Sequence, residues 1–94
     1  MYVLEIKEGD EHIGNLNLYI LARHFAYLTE MHIKEDRRKQ GYGSKLVHEA
    51  EIIAKQEGCE QLIACASKES HYNQRYFGKL GFGFIGHQLS KDLS

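Results

Sequence analysis

The hydrophobic period of this chain changes at Gly41-Tyr42-Gly43, and that change constrains the fold more than any other feature. Upstream, apolar residues alternate: Tyr2, Leu4 and Ile6, then Leu16, Leu18 and Ile20, then the run from Ala26 to Ile33. A period of two puts these side chains on one face of a strand. Glu8-Gly9-Asp10-Glu11 and Arg23-His24 supply the reversals between them, so the first third predicts an antiparallel meander. Downstream, Leu46, Val47, Ala50, Ile53 and Ala54 recur at helical spacing, and Gly58 is placed to close that helix.

The rest of the chain continues the alternation of elements. Leu62-Ile63-Ala64-Cys65-Ala66 is a short apolar run that reads as a buried strand. Ser67 to Ser70 offer N-cap residues for a second helix carrying Tyr72, Tyr76, Phe77 and Leu80 and closed by Gly81. Phe82 to Gln88 is the last strand candidate. The order β-β-β-α-β-α-β predicts an α+β fold, with a mixed, mostly antiparallel twisted sheet and two main helices. Residues 1–94 are expected to form one domain, since a chain of 94 residues matches the usual domain size.

Charge and cysteine content narrow the function classes. The net charge of −1 offers no broad field for nucleic acid or an anionic membrane. The apolar run around Leu18–Ala22 is too short to span a bilayer. Cys59 and Cys65 lack metal or redox spacing, and the six histidines show no ligand pattern, so no metal is expected. With neither a disulfide framework nor a signal peptide, the expected compartment is the cytoplasm.

Basic charge is local and precedes the glycines: Arg37, Arg38, Lys39, Gln40, Gly41, Tyr42, Gly43, Ser44. The first amides of a helix have no intrahelical partner, and its dipole is positive there. Two glycines let those amides approach a phosphate closely, while Arg38 and Lys39 add charge and Ser44 a hydroxyl. Neither standard nucleotide loop fits these residues. A tight turn with basic decoration is the plainer account of the loop taken alone.

The stretch from Glu30 to Gly43 resembles the acetyl-CoA signature of the GNAT superfamily of N-acetyltransferases. Met31-x-Ile33 fills the end of the signature strand, and Arg38-x-x-Gly41-x-Gly43 fills the loop. A second stretch from Asn73 to Phe82, closing Lys79-Leu80-Gly81-Phe82, is similar to that family's late helix. The resemblance covers Ala26 to Ile85. It implies a GNAT-like acyl-CoA acyltransferase fold and direct transfer of acetyl from acetyl-CoA to a primary amine, on a small molecule or a protein. The backbone of Met31, His32 and Ile33 would pair with the pantetheine arm, and one of those amides would polarise the thioester carbonyl. The amides of Lys39 to Ser44 would hold the pyrophosphate.

Other roles follow residue by residue. The family's thiolate-protonating tyrosine falls on Phe77, which carries no proton, so its neighbour Tyr76 or the earlier Tyr72 is the candidate acid. Ser70, Asn73 and Phe77 occupy cofactor-side positions. Glu30 and His32, two apart on one strand, are read as sharing a face and forming a base with its orienting partner; solvated strand residues are the alternative. Cys65 is read as a buried, inert thiol. Relative to the family, the chain begins at the first hairpin, and its tail after Phe82 is expected to be too short for the usual final strand pair. An open acceptor site follows, or a homodimer whose partner supplies the walls. A catalytically inactive acetyl-CoA sensor is the alternative function.

Overall fold

A computed structural model describes residues 1–22, 24–64, 74–85 and 88–93. The elements are β1 (Tyr2–Glu8), β2 (Glu11–Ala22), β3 (Phe25–Ile33), a 3-10 turn at Glu35–Arg37, α1 (Tyr42–Gln56), β4 (Gln61–Ala64), α2 (Gln74–Lys79), β5 (Gly83–Ile85) and β6 (Gln88–Asp92). They build one six-stranded sheet in the order β1-β2-β3-β4-β6-β5. Among the described residues only β3 and β4 pair in parallel, and α1 is the crossover between them. A parallel pair needs such a crossover, because a tight turn can only reverse the chain.

The buried face follows the alternation in sequence. Leu4 lies opposite Leu16, and Leu18 opposite Leu28; all four are buried beneath α1 with Ala26 and Ile33. From α1 come Leu46, Val47, Ala50 and Ala54. The two alanines let the helix axis approach the sheet, while each fully buried leucine contributes about 1.5–3 kcal/mol. Both glycine closures hold. Gly58 takes φ 83° as Cys59 N–H bonds Ala54 O at 2.9 Å. Gly81 takes φ 94° as Phe82 N–H bonds Phe77 O at 3.1 Å.

Two expectations are corrected. The tail does form the final strand pair: β5 and β6 are antiparallel, and β6 pairs with β4 from Gln61↔Asp92 to Ala64↔Leu89. The single strand expected over Phe82–Gln88 is therefore split, with Phe82 in the core rather than in the sheet. Strands of three and five residues are too short to display an alternating pattern.

The second correction concerns β3. Asn15 pairs with His32 but Asn17 with Thr29, so β3 carries one extra residue there. Glu30 absorbs it with φ 52°, a left-handed conformation rare for a residue other than glycine. The bulge moves the buried set from the even residues Ala26 and Leu28 to the odd residue Ile33. The alternation that would put Glu30 and His32 on a shared face is interrupted between them.

Candidate functional site

The chain between β3 and α1 is a folded loop with two left-handed residues, Lys39 (φ 64°) and Gly41 (φ 85°). Gly41 is the N-cap of α1; it has no side chain to return to the helix amides, and no acidic residue stands in the first turn. Lys45 N–H makes the first intrahelical bond, to Gly41 O at 3.1 Å. The preceding amides, of Tyr42, Gly43 and Ser44, are the unpaired donors of a helix start. They open onto a cleft of about 230 Å³, lined by Ile33, Arg37, Arg38, Lys39, Gly41, Tyr42, Gly43, Ser44 and Tyr76. A Cβ built on Gly41 would meet nothing within 4 Å, so its glycine is required by backbone conformation rather than by crowding.

The three basic residues are not equivalent. Arg38 is half-buried and donates from Nε to Ile33 O at 3.2 Å, tying the loop to the end of β3. Arg37 pairs with Glu8 Oε2 at 3.0 Å and Glu11 Oε1 at 2.7 Å, on the β1–β2 turn. Lys39 is exposed, with no ion pair among the described residues. The Tyr42 hydroxyl also donates to Glu8. That bond and the Arg37 contacts hold the Glu8 carboxyl below the usual carboxylate range, while the Tyr42 phenol is pushed up. Gln40 turns away from the cleft and donates to Asp36 O at 3.4 Å.

Tyr76 closes the far side. It is half-buried and hydrogen-bonded to Ser44; burial pushes its phenol up and the Ser44 bond works against that. Phe77 is 1% exposed, with its ring edge-on to Phe82 at 5.3 Å and to Tyr76 at 5.4 Å. Adjacent helical residues diverge by about 100°, so only one of the pair can face the cleft. That residue is Tyr76. The cofactor-side position expected for Phe77 is thus corrected: its side chain belongs to the core. Tyr72, Cys65, Ser70 and Asn73 lie outside the described residues.

At the other end of the loop is the end of β3, beside which β4 is described as far as Ala64. The β3–β4 pairing ends at Leu28↔Ala64, while β3 runs on to Ile33. Beyond that point, among the described residues, β3 pairs with β2 alone. Glu30, Met31, His32 and Ile33 follow the last described pair with β4. The Glu30 carboxylate accepts from Asn17 Nδ2 at 2.8 Å, and its carbonyl from Asn15 Nδ2 at 3.4 Å. His32 is exposed, and Met31 is half-buried against the core. Neither lines the cleft, so the structure brings the loop residues, Ile33 and Tyr76 together and leaves Glu30 and His32 at the strand bulge.

Glu8, Glu11 and Arg37 were not legible as site residues. The carboxylates stand well over twenty positions before the loop they hold, and only the pairing of β1 with β2 and of β2 with β3 brings them to it. The asparagines of β2 are a weaker case of the same kind, since their partner is a bulge that no local pattern announces.

A mixed sheet with a parallel β3–β4 step, crossed by a helix that starts at a glycine loop, matches the acyl-CoA N-acyltransferase fold. The chain matches the Acetyltransferase (GNAT) family over residues 1–82 and belongs to it. Comparison with curated protein sequences finds no match. Among solved structures, an acetyltransferase from Bacillus cereus superposes with TM-score 0.86 at 22% identity, over 97% of this chain and 71% of that one. An aminoglycoside 6'-N-acetyltransferase complexed with coenzyme A gives 0.80 at 15%, over 96% and 71%. Ard1 from Thermoplasma volcanium gives 0.79 at 14%, over 89% of this chain and 65% of that one. The chain thus spans about two thirds of the length of these relatives.

Proposed function

We propose that the protein is an acetyl-CoA-dependent N-acetyltransferase that moves acetyl directly to a primary amine. The observation that carries this reading is the cleft itself: unpaired first-turn amides on one wall and the Tyr76 hydroxyl, bonded to Ser44, on the other. Bound acetyl-CoA would supply the activated acetyl thioester. The residues fit it, because the amides of Tyr42 to Ser44 and Lys39 suit a diphosphate, and the strand edge of Met31–Ile33, which has no partner on the β4 side among the described residues, suits an extended amide-bearing arm.

In this reading an amide of that edge donates to the thioester oxygen as negative charge builds there. Glu30, held by Asn15 and Asn17, takes the proton of the attacking amine. Tyr76 gives its proton to the departing sulfur. Burial suits Tyr76 to that task, since a phenol pushed up stays protonated at neutral pH. The new amide and a free thiol are the products, and the proton gained at Glu30 offsets the one lost at Tyr76.

Titration calorimetry with acetyl-CoA, followed by thiol release with spermidine, N-α-blocked lysine and a tetrapeptide bearing a free N-terminus, tests the proposal. Binding with turnover on any of these supports it. Binding without thiol release would favour the inactive sensor, and absence of binding would remove both.

A further inference from the structure

We propose that the β1–β2 turn is a positioning device for the cofactor loop, with the Glu8 carboxylate at its centre. This rests on the reading of the cleft as a coenzyme A site. Glu8 receives two donors from the loop, the Arg37 guanidinium at 3.0 Å and the Tyr42 hydroxyl. Glu11 holds the other Arg37 nitrogen at 2.7 Å and Lys34 at 3.8 Å. One turn therefore grips the loop at three points: where the chain leaves β3, in the 3-10 turn, and at the first residue of α1.

Two carboxylates beside an anion site are electrostatically unfavourable for the anion. Glu8 and Glu11 also occupy Arg37, a cation that lines the cleft. If the loop bound phosphate by charge alone, this arrangement would only weaken it. The grip makes sense where binding depends on fixed amide directions. Gly41 has no capping side chain, Lys39 and Gly41 are both left-handed, and the bonds within the loop, such as Gln40 to Asp36 O, lie before Gly41, so the hold on Tyr42 at the start of α1 comes from the β1–β2 turn. Lys34 N–H bonds Ile13 O at 2.8 Å, which anchors the same segment to β2. Preorganised donors bind more tightly because ordering them is not charged to the binding event.

The test is titration of coenzyme A into wild type, Glu8→Gln, Tyr42→Phe and the double variant, with the melting temperature of each. Positioning predicts that Glu8→Gln weakens coenzyme A by about five- to tenfold, and that the double variant is little worse than Glu8→Gln alone. In turnover, KM for acetyl-CoA should rise by the same factor with kcat unchanged. Unchanged or tighter binding by Glu8→Gln overturns the proposal, since release of Arg37 into the cleft would then be the dominant effect. Should Glu8→Gln lower the melting temperature severely, Tyr42→Phe decides alone: it removes one bond and no charge, and unaltered affinity there overturns the proposal. Wild type that fails to bind coenzyme A defeats the cofactor-site reading itself and this inference with it, a result distinct from wild type that binds and variants that match it.

Discussion

The loop before α1 and the bulge in β3 are built differently. At the loop end, Arg37, Arg38, Gln40, Tyr42 and Tyr76 each have a named partner in the fold, and four elements contribute to one cleft. At the bulge end, Glu30 and His32 are exposed, and the bonds holding Glu30 come from two asparagine side chains of a single neighbouring strand. Under the proposed function the contrast has a physical cause. A diphosphate is recognised by several amides at once, so the whole loop must be rigid, whereas a proton transfer needs one carboxylate held in reach. A site of this form can keep its cofactor while its acceptor varies.

If that division is right, a change at the loop should remove binding and a change at the bulge should spare it. Gly41→Glu gives the largest effect. Its φ of 85° strains any side chain, and the new carboxylate stands where the anion should bind. Acetyl-CoA affinity should fall about a hundredfold or more, read by calorimetry, with the fold retained. Glu30→Gln should do the reverse: kcat down by about a hundredfold with calorimetric affinity for acetyl-CoA unchanged. Lost affinity in Glu30→Gln would erase the division between the two ends.

Tyr76→Phe lies between them, since Tyr76 lines the cleft yet is proposed to serve the chemistry. We expect kcat to fall by about tenfold, because a thiolate is a fair leaving group even without a proton donor. Affinity should change only by the loss of the Ser44 bond. The effect should shrink with an acyl thioester whose thiol is more acidic, and steady-state rates on two such donors check it.

How far the sequence could be read follows the same contrast. The loop was legible because its signal is local: a change of hydrophobic period, two glycines and a basic run within a few residues. The meander, the crossover helix and both glycine caps were legible for the same reason. The bulge at Glu30 was not, although the shift from Ala26 and Leu28 to Ile33 marks it in hindsight, because period-two patterns are read without allowance for an inserted residue. The choice of Tyr76 over Phe77 depended on how a six-residue helix is rotated on the core, which Phe82 and the core decide. Glu8 and Glu11 belong to the loop only through tertiary pairing, and β5 and β6 are too brief to show a period.

The smallest expected effect concerns the grip of the β1–β2 turn on the loop, and it tests whether the loop end is tied to the rest of the sheet. In the folded protein Glu8 titrates below its ordinary value of 4.5, chiefly through the Tyr42 hydroxyl and then Arg37. Its contribution to stability is therefore complete above that ordinary value and is lost as pH falls through the depressed one. Tyr42 has the opposite sign: its contribution is complete below 10.0 and is lost as pH rises through its raised value. Glu8 is exposed and its partners Arg37 and Tyr42 are only half-buried, so the difference in melting temperature between wild type and Glu8→Gln should be about 1–3 °C at neutral pH. That difference should narrow toward zero in acid, and the difference between wild type and Tyr42→Phe should narrow in strong base. Scanning calorimetry across pH reads both limbs, and a Glu8→Gln gap that stays constant into acid would separate the turn from the loop it is proposed to hold.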